Sequence, residues 1–165
     1  MAIRKPRPAP ALPILPIDSP ERRRLPPLLR RAWYSLNQAF RRRIAHLGIT
    51  PDQFTVMRTL LEGDTQGMTQ RQLTEAMSSD PNTVASMLHR MEAAGLVLRA
   101  PHECDRRAHR IRLRATGQKK YETARAIAIE LQTEVLSVLP ASAREDFLRH
   151  LAAVADACHA STGQS

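Results

Sequence analysis

Apolar residues recur every three or four positions from Leu29 through Ala32, Trp33, Leu36, Phe40 and Ile44 to Leu47. That spacing predicts one face of a long amphipathic helix, opening near Pro27 and ended by Gly48. Thr50 followed by Pro51 reads as an N-cap and a first helical residue: the hydroxyl accepts an orphan N–H, and proline's fixed φ suits that position. The helix that follows turns Phe54, Met57, Leu60 and Leu61 inward and stops at EGDTQG. Thr69 caps a short third helix, QRQLTEAM, anchored by Leu73 and Met77.

A fourth helix lies in SSDPNTVASMLHRMEAAG, with Asp80 as N-cap, Pro81 as first residue and Gly95 as left-handed terminator. Val84, Leu88 and Met91 share its inward face, which leaves Asn82, Thr83, Ser86 and Arg90 together on the other side. The segments LVLRA and HRIRLR alternate apolar with basic residues, the period of a two-stranded ribbon. Thr116 to Leu139 is a long helix with a stripe at Ala124, Ile127, Leu131, Val135 and Val138, and Pro140 breaks it. A last helix from about Ser142 is expected to bury Phe147, Leu148, Leu151 and Val154. No internal repeat is present.

A short helix, a turn, a second helix with a polar face and a basic hairpin make a winged helix-turn-helix. The predicted fold is mainly α with a small β-hairpin wing. The winged core covers about residues 50–115, between helices at 27–48 and 116–160, behind a proline-rich arm at 1–26. Six prolines between Pro6 and Pro20 exclude helix and central strand from that arm. Its Leu12, Ile14, Leu15 and Ile17 suit an extended segment laid across a partner subunit.

Charge adds a partner to this picture. The 165 residues carry a formal +9, a surplus that favours a polyanion, nucleic acid ahead of an acidic membrane surface. Only 4% of residues are aromatic, so aliphatic side chains must do most of the packing. No apolar run approaches the ~20 residues of a membrane-spanning helix, and two cysteines make no disulfide framework. A cytoplasmic protein with reduced thiols is expected.

The chemistry of duplex recognition explains the residue choice. A recognition helix in the major groove docks one apolar face on its own domain and offers hydrogen-bonding side chains to base edges. Asn82, Thr83, Ser86 and Arg90 meet that demand, with Ser79 just ahead of them. In the wing, Val97, Ile111 and Leu113 fix the ribbon to the core. The arginines around the tip, Arg106, Arg107, Arg110, Arg112 and Arg114, are expected to meet phosphates and the negative minor groove. Asp105, two residues from Arg107, would hold that guanidinium in one orientation, and His109 completes the candidate DNA contacts.

The ordered set of TVASMLHRMEAAGLVLR and CDRRAHRIRLRATG resembles the MarR-type transcriptional regulators. In that family a recognition helix ends in Leu-Glu-x-x-Gly-Leu-Val/Ile, and the wing carries Asp-x-Arg, then an apolar-x-Leu strand and a glycine. Here Met91-Glu92 stand for Leu-Glu, Gly95-Leu96-Val97 match directly, and Asp105, Arg107, Leu113 and Gly117 take the remaining places. LGITPDQFTVMRTL is similar to the family's second helix, and the likeness spans roughly residues 28–160. Two departures concern base preference: Leu113-Arg114 replaces a frequent Leu-Thr, and Ala85-Ser86 stand where the family often has arginine.

The resemblance implies a homodimer, paired through the first and last two helices, whose winged domains straddle a pseudo-palindromic operator with half-sites ~34–36 Å apart. It also implies a ligand-responsive regulator, most simply a repressor released by a small anionic or aromatic effector such as an aromatic acid or its CoA thioester. By position, Trp33, Asn37, Phe40, Phe54 and Met57 would line the effector cleft, and Arg41, Arg42, Arg43, His46 or Arg58 would meet its anionic group. The alternative for these side chains is plain core and plain surface.

Other readings share parts of the pattern. A basic architectural or RNA-binding protein explains the charge but not a capped helix with a hydrogen-bonding face. A redox switch at Cys104 would use neighbouring arginines to stabilise a thiolate. His102, Cys104 and His109 offer zinc-ligand chemistry without zinc spacing or a fourth ligand, so no metal or other cofactor is expected. Cys158 is expected to be a small buried apolar residue. No Ser-His-Asp set, glycine-rich phosphate loop or paired acid carries an enzymatic reading.

Overall fold

A computed structural model of the chain describes residues 16, 19, 20, 22–101 and 109–163. The chain divides into two compact units, Met1–Asn37 and Gln38–Ser165, with the boundary inside the first helix. The elements are α1 (Leu25–Ile44), α2 (Pro51–Glu62), β1 (Met68–Thr69), α3 (Gln70–Ala76), α4 (Pro81–Ala93), β2 (Val97–Pro101), β3 (His109–Leu113), α5 (Ala115–Leu136) and α6 (Ala141–Thr162). A single 3-10 turn, Ala45–Leu47, extends α1 and is closed by Gly48 in the left-handed region.

The helix starts obey local chemistry. Thr50 and Thr69 each form a reciprocal capping box, with Gln53 and Gln72. In both, the glutamine N–H donates to the threonine hydroxyl and the threonine N–H donates to the glutamine side-chain oxygen, satisfying two orphan donors at once. Asp80 caps α4 by accepting from Thr83 N–H at 2.9 Å. Gly95 takes the expected left-handed conformation just after α4, with φ of 69°.

The sheet has three strands, not two, in the order β1-β3-β2 and antiparallel throughout. Val97 pairs with Leu113 and Pro101 with His109 across the ribbon, while Met68 and Thr69 pair with Ile111 and Arg110. A two-residue strand is too short to display alternation, so β1 had no signature in the sequence.

The core of the second unit gathers Phe40, Ile44, Val56, Met57, Leu73, Val84, Leu88, Met91, Val97 and Ile111 around the winged elements. Phe54 bridges two rings, edge-on to Phe40 at 5.0 Å and stacked on Tyr121 at 5.2 Å. Gly117 sits against the chain entering β2, where a Cβ would lie 2.3 Å from Leu96 O. Only glycine permits that approach, which seats the start of α5 on the winged core.

Several expected core positions are open. Leu61 is exposed, because it lies about 100° around the helix from Leu60 and off the buried face. Val56, Met87 and Tyr121 are buried instead, though not anticipated. On α5 the inward face is Gly117, Tyr121, Ala124 and Leu131, whereas Val135 faces outward, and Val138, just past the helix, is exposed. No residue of α6 is buried: Phe147 is 43% exposed and Leu151 37%. Cys158 is exposed as well, since nothing among the described residues covers it. In the first unit, Leu29, Trp33 and Leu36 of α1 are likewise exposed.

Candidate nucleic-acid interface

α4 is held from one side only. Val84, Met87, Leu88 and Met91 are buried, and α4 packs on α3 and on β2. Asn82, Thr83, Ser86 and Arg90 are exposed along the opposite side, and Ser79 is half-buried at the turn before it. The side chains of Asn82, Ser86 and Arg90 make no hydrogen bond or ion pair among the described residues. An exposed row of donors and acceptors on a helix buried along its other face can hydrogen-bond a partner laid along it. His89 belongs to this row, two helical turns after Asn82, and is exposed. Its seven-residue spacing from Asn82 is the sequence signal that places it there.

The cap shapes the electrostatics at the start of the helix. The Asp80 carboxyl is held below its ordinary range, chiefly by its hydrogen bonding with Thr83. It therefore stays ionised at the helix N-terminus, where negative charge is favoured.

The hairpin stands beside α4, tied to it by an ion pair between Arg99 of β2 and Glu92, with Nε 3.3 Å from Oε2. His109 is exposed at the outer end of β3. Asp105, Arg106 and Arg107, with His102 and Cys104, lie outside the described residues. Two wing arginines are not free as expected. Arg112 donates from Nε to Gln66 O at 2.7 Å and from Nη2 to Gln66 Oε1 at 2.9 Å. Arg110 donates from Nη1 to Gly67 O at 2.9 Å and approaches Asp64 Oδ2 at 3.4 Å. Alternation along β3 marked both as outward-facing, but it could not reveal a loop waiting there with acceptors.

The effector candidates fall in different environments. Trp33, 64% exposed, and half-buried Asn37 lie in the first unit. In the second, Phe40, Phe54 and Met57 are core, while Arg42, His46 and Arg58 are exposed. Arg43 is taken by Glu134 of α5 at 2.6 Å. An open hollow of about 400 Å³ lies between α2, β1 and α3, lined by Thr55, Arg58, Thr59, Glu62, Gly63, Met68 and Ala76. Of the candidates, Arg58 alone lines it. Among the described residues no three His, Cys, Asp or Glu side chains are grouped to hold a metal.

Comparison with known proteins extends this geometry. The MarR family model matches residues 49–109. Transcriptional regulator HosA of Escherichia coli O127:H6 is 34% identical over 127 residues, 74% of this chain and 93% of that protein. The fold is similar to the S. aureus MepR–DNA complex, with a TM-score of 0.73 at 23% identity over 79% of this chain and 95% of that one. It is also similar to CouR from Rhodococcus jostii RHA1 bound to p-coumaroyl-CoA, with a TM-score of 0.68 at 22% identity over 78% and 89%. The motif order, the capped and one-sided α4, the hairpin beside it and the relation to HosA agree: this chain belongs to the MarR family of winged-helix transcriptional regulators, which bind DNA.

Proposed function

We propose that the protein is a homodimeric, sequence-specific repressor that reads a pseudo-palindromic duplex and is released by a small anionic or aromatic ligand. The observation that carries the reading is the row on α4. Asn82, Thr83, Ser86 and Arg90 stand exposed on a helix anchored by four buried residues. Asn82 suits bidentate bonding to adenine in the major groove. Arg90 and Arg106 suit phosphates, and Arg107, aimed by Asp105, suits the minor groove. Ser79 and His109 flank these contacts.

Dimer formation is supported by the open apolar face of α6 and by Val138, 84% exposed after α5. A second copy covering residues 27–48 and 116–160 would bury these groups and set two winged cores, about 50–115, side by side. The ligand class is supported by the p-coumaroyl-CoA bound to CouR. A repressor responds to a ligand only if the ligand prefers the arrangement that cannot bind DNA. The role requires no catalytic group, and the cell compartment that fits it is the cytoplasm. Among the described residues no single helix is long and apolar enough to cross a membrane.

The test is fluorescence anisotropy on a duplex selected from a random-sequence pool by the native protein, in ~0.15 M salt with excess random duplex. Binding should survive the competitor and collapse in Arg107→Ala. Binding erased by competitor in both proteins would mean that charge alone holds the duplex. Titrating aromatic acids and their CoA thioesters into the bound complex then identifies the releasing ligand.

A further inference from the structure

The wing is braced from outside its own hairpin. The turn 63–67 leaves α2 and is internally tied by Asp64: its Oδ1 accepts from Gln66 N at 2.8 Å and its carbonyl from Gly67 N at 2.8 Å. Gly67 adopts φ of 95°, and a Cβ there would sit 2.7 Å from both Ile111 O and Arg112 Cγ. The turn is thus pressed against β3 as closely as a backbone allows. β1 continues from it, and Thr69 pairs with Arg110 while also capping α3. One two-residue strand is a weak joint by itself, since isolated pairings of that length are marginal.

Arg110 and Arg112 strengthen that joint. Arg112 places one edge of its guanidinium, Nε and Nη2, on one residue, Gln66, and such forks fix orientation as well as add energy. Arg110 reaches the Gly67 carbonyl and the Asp64 carboxylate, and its side chain is only 17% exposed. These bonds draw both guanidiniums toward the turn 63–67.

We propose that Arg110 and Arg112, held by the turn Asp64–Gln66–Gly67, form a strut that fixes the angle of the wing relative to α3 and α4. They are positioning residues for DNA recognition, acting through the wing tip, and make no DNA contact themselves. The strut rests on the interface reading above, because a wing that touches no DNA has nothing to aim.

The experiment uses the full chain and the selected duplex, measuring affinity across a salt series for Arg112→Lys, Gln66→Ala, Gln66→Glu and Arg107→Ala. Arg112→Lys keeps the charge and loses the fork, so affinity should fall about tenfold, the size of one lost groove contact. Gln66→Ala removes the acceptor Oε1 and should weaken binding in the same direction, while Gln66→Glu restores an acceptor and should bind nearly as the native protein does. Arg107→Ala should cost far less when added to Arg112→Lys than alone, because the tip is already misaimed. Thermal melts of each variant separate loss of aim from loss of fold.

Native-like affinity in Arg112→Lys and Gln66→Ala, with Arg107→Ala still damaging, would overturn the strut and leave the interface reading standing. So would an Arg112→Gln variant whose salt dependence falls by about one unit of slope, since that marks a phosphate contact. If Arg107→Ala binds as the native protein does, the interface reading fails and the strut with it.

Discussion

The winged core and helix α6 both carry apolar residues at helical spacing and meet opposite fates. In α4, Val84, Met87, Leu88 and Met91 all disappear into the interior. In α6, Phe147 and Leu151 remain open and no residue is buried. The difference is one of coverage, not of pattern. α4 finds α3 and β2 within its own chain, while α6 finds no comparable cover among the described residues. A periodic stripe therefore announces that a face wants burial, and says nothing about which chain will bury it.

The largest effect should come from the covered side of this comparison. Leu88→Ala opens a fully buried site and should lower unfolding stability by about 2–5 kcal/mol in a denaturant melt. Phe147→Asp probes the uncovered side. It should leave the stability of the single chain within about 0.5 kcal/mol, yet weaken self-association by about 2 kcal/mol, roughly 30-fold, in sedimentation. A melt that drops as far as that of Leu88→Ala would mean α6 is covered within its own chain after all.

The polar side of α4 sharpens the contrast. Asn82→Ala should leave the melt unchanged while reducing discrimination between the selected duplex and its altered half-sites by about 1–3 kcal/mol. Loss of stability with unchanged discrimination would place Asn82 in the fold instead of the interface. The smallest effect concerns the cap. Asp80 is held below its ordinary value, so its contribution is present at neutral pH and is lost as pH falls through that lowered value. Asp80→Asn keeps an acceptor without the titration, and its stability should decline less steeply on the acid side.

Legibility followed the range of the interaction. Helix starts at Thr50-Pro51, Thr69 and Asp80-Pro81 were readable because each cap bonds within three residues of itself. Val84, Leu88 and Met91 of α4 were readable because helical periodicity is likewise local. The exposed row of the candidate interface followed by subtraction, with His89 overlooked. What escaped depends on residues far apart in the chain. The bond from Arg112 to Gln66 spans 46 residues, and Tyr121 is buried against Phe54, which is 67 positions earlier in the chain. The same arginine is a DNA contact or a brace according to whether a loop with free carbonyls lies beside it.

By itself, then, the sequence determined the helices and the hairpin, the caps at Thr50, Thr69 and Asp80, the basic composition of the wing and the polar face of α4, since periodicity and capping are local properties of a chain. Tertiary structure decided which stripes close within one molecule. It also decided which arginines are bound by the protein itself, because burial and hydrogen-bond satisfaction depend on what the rest of the fold brings near.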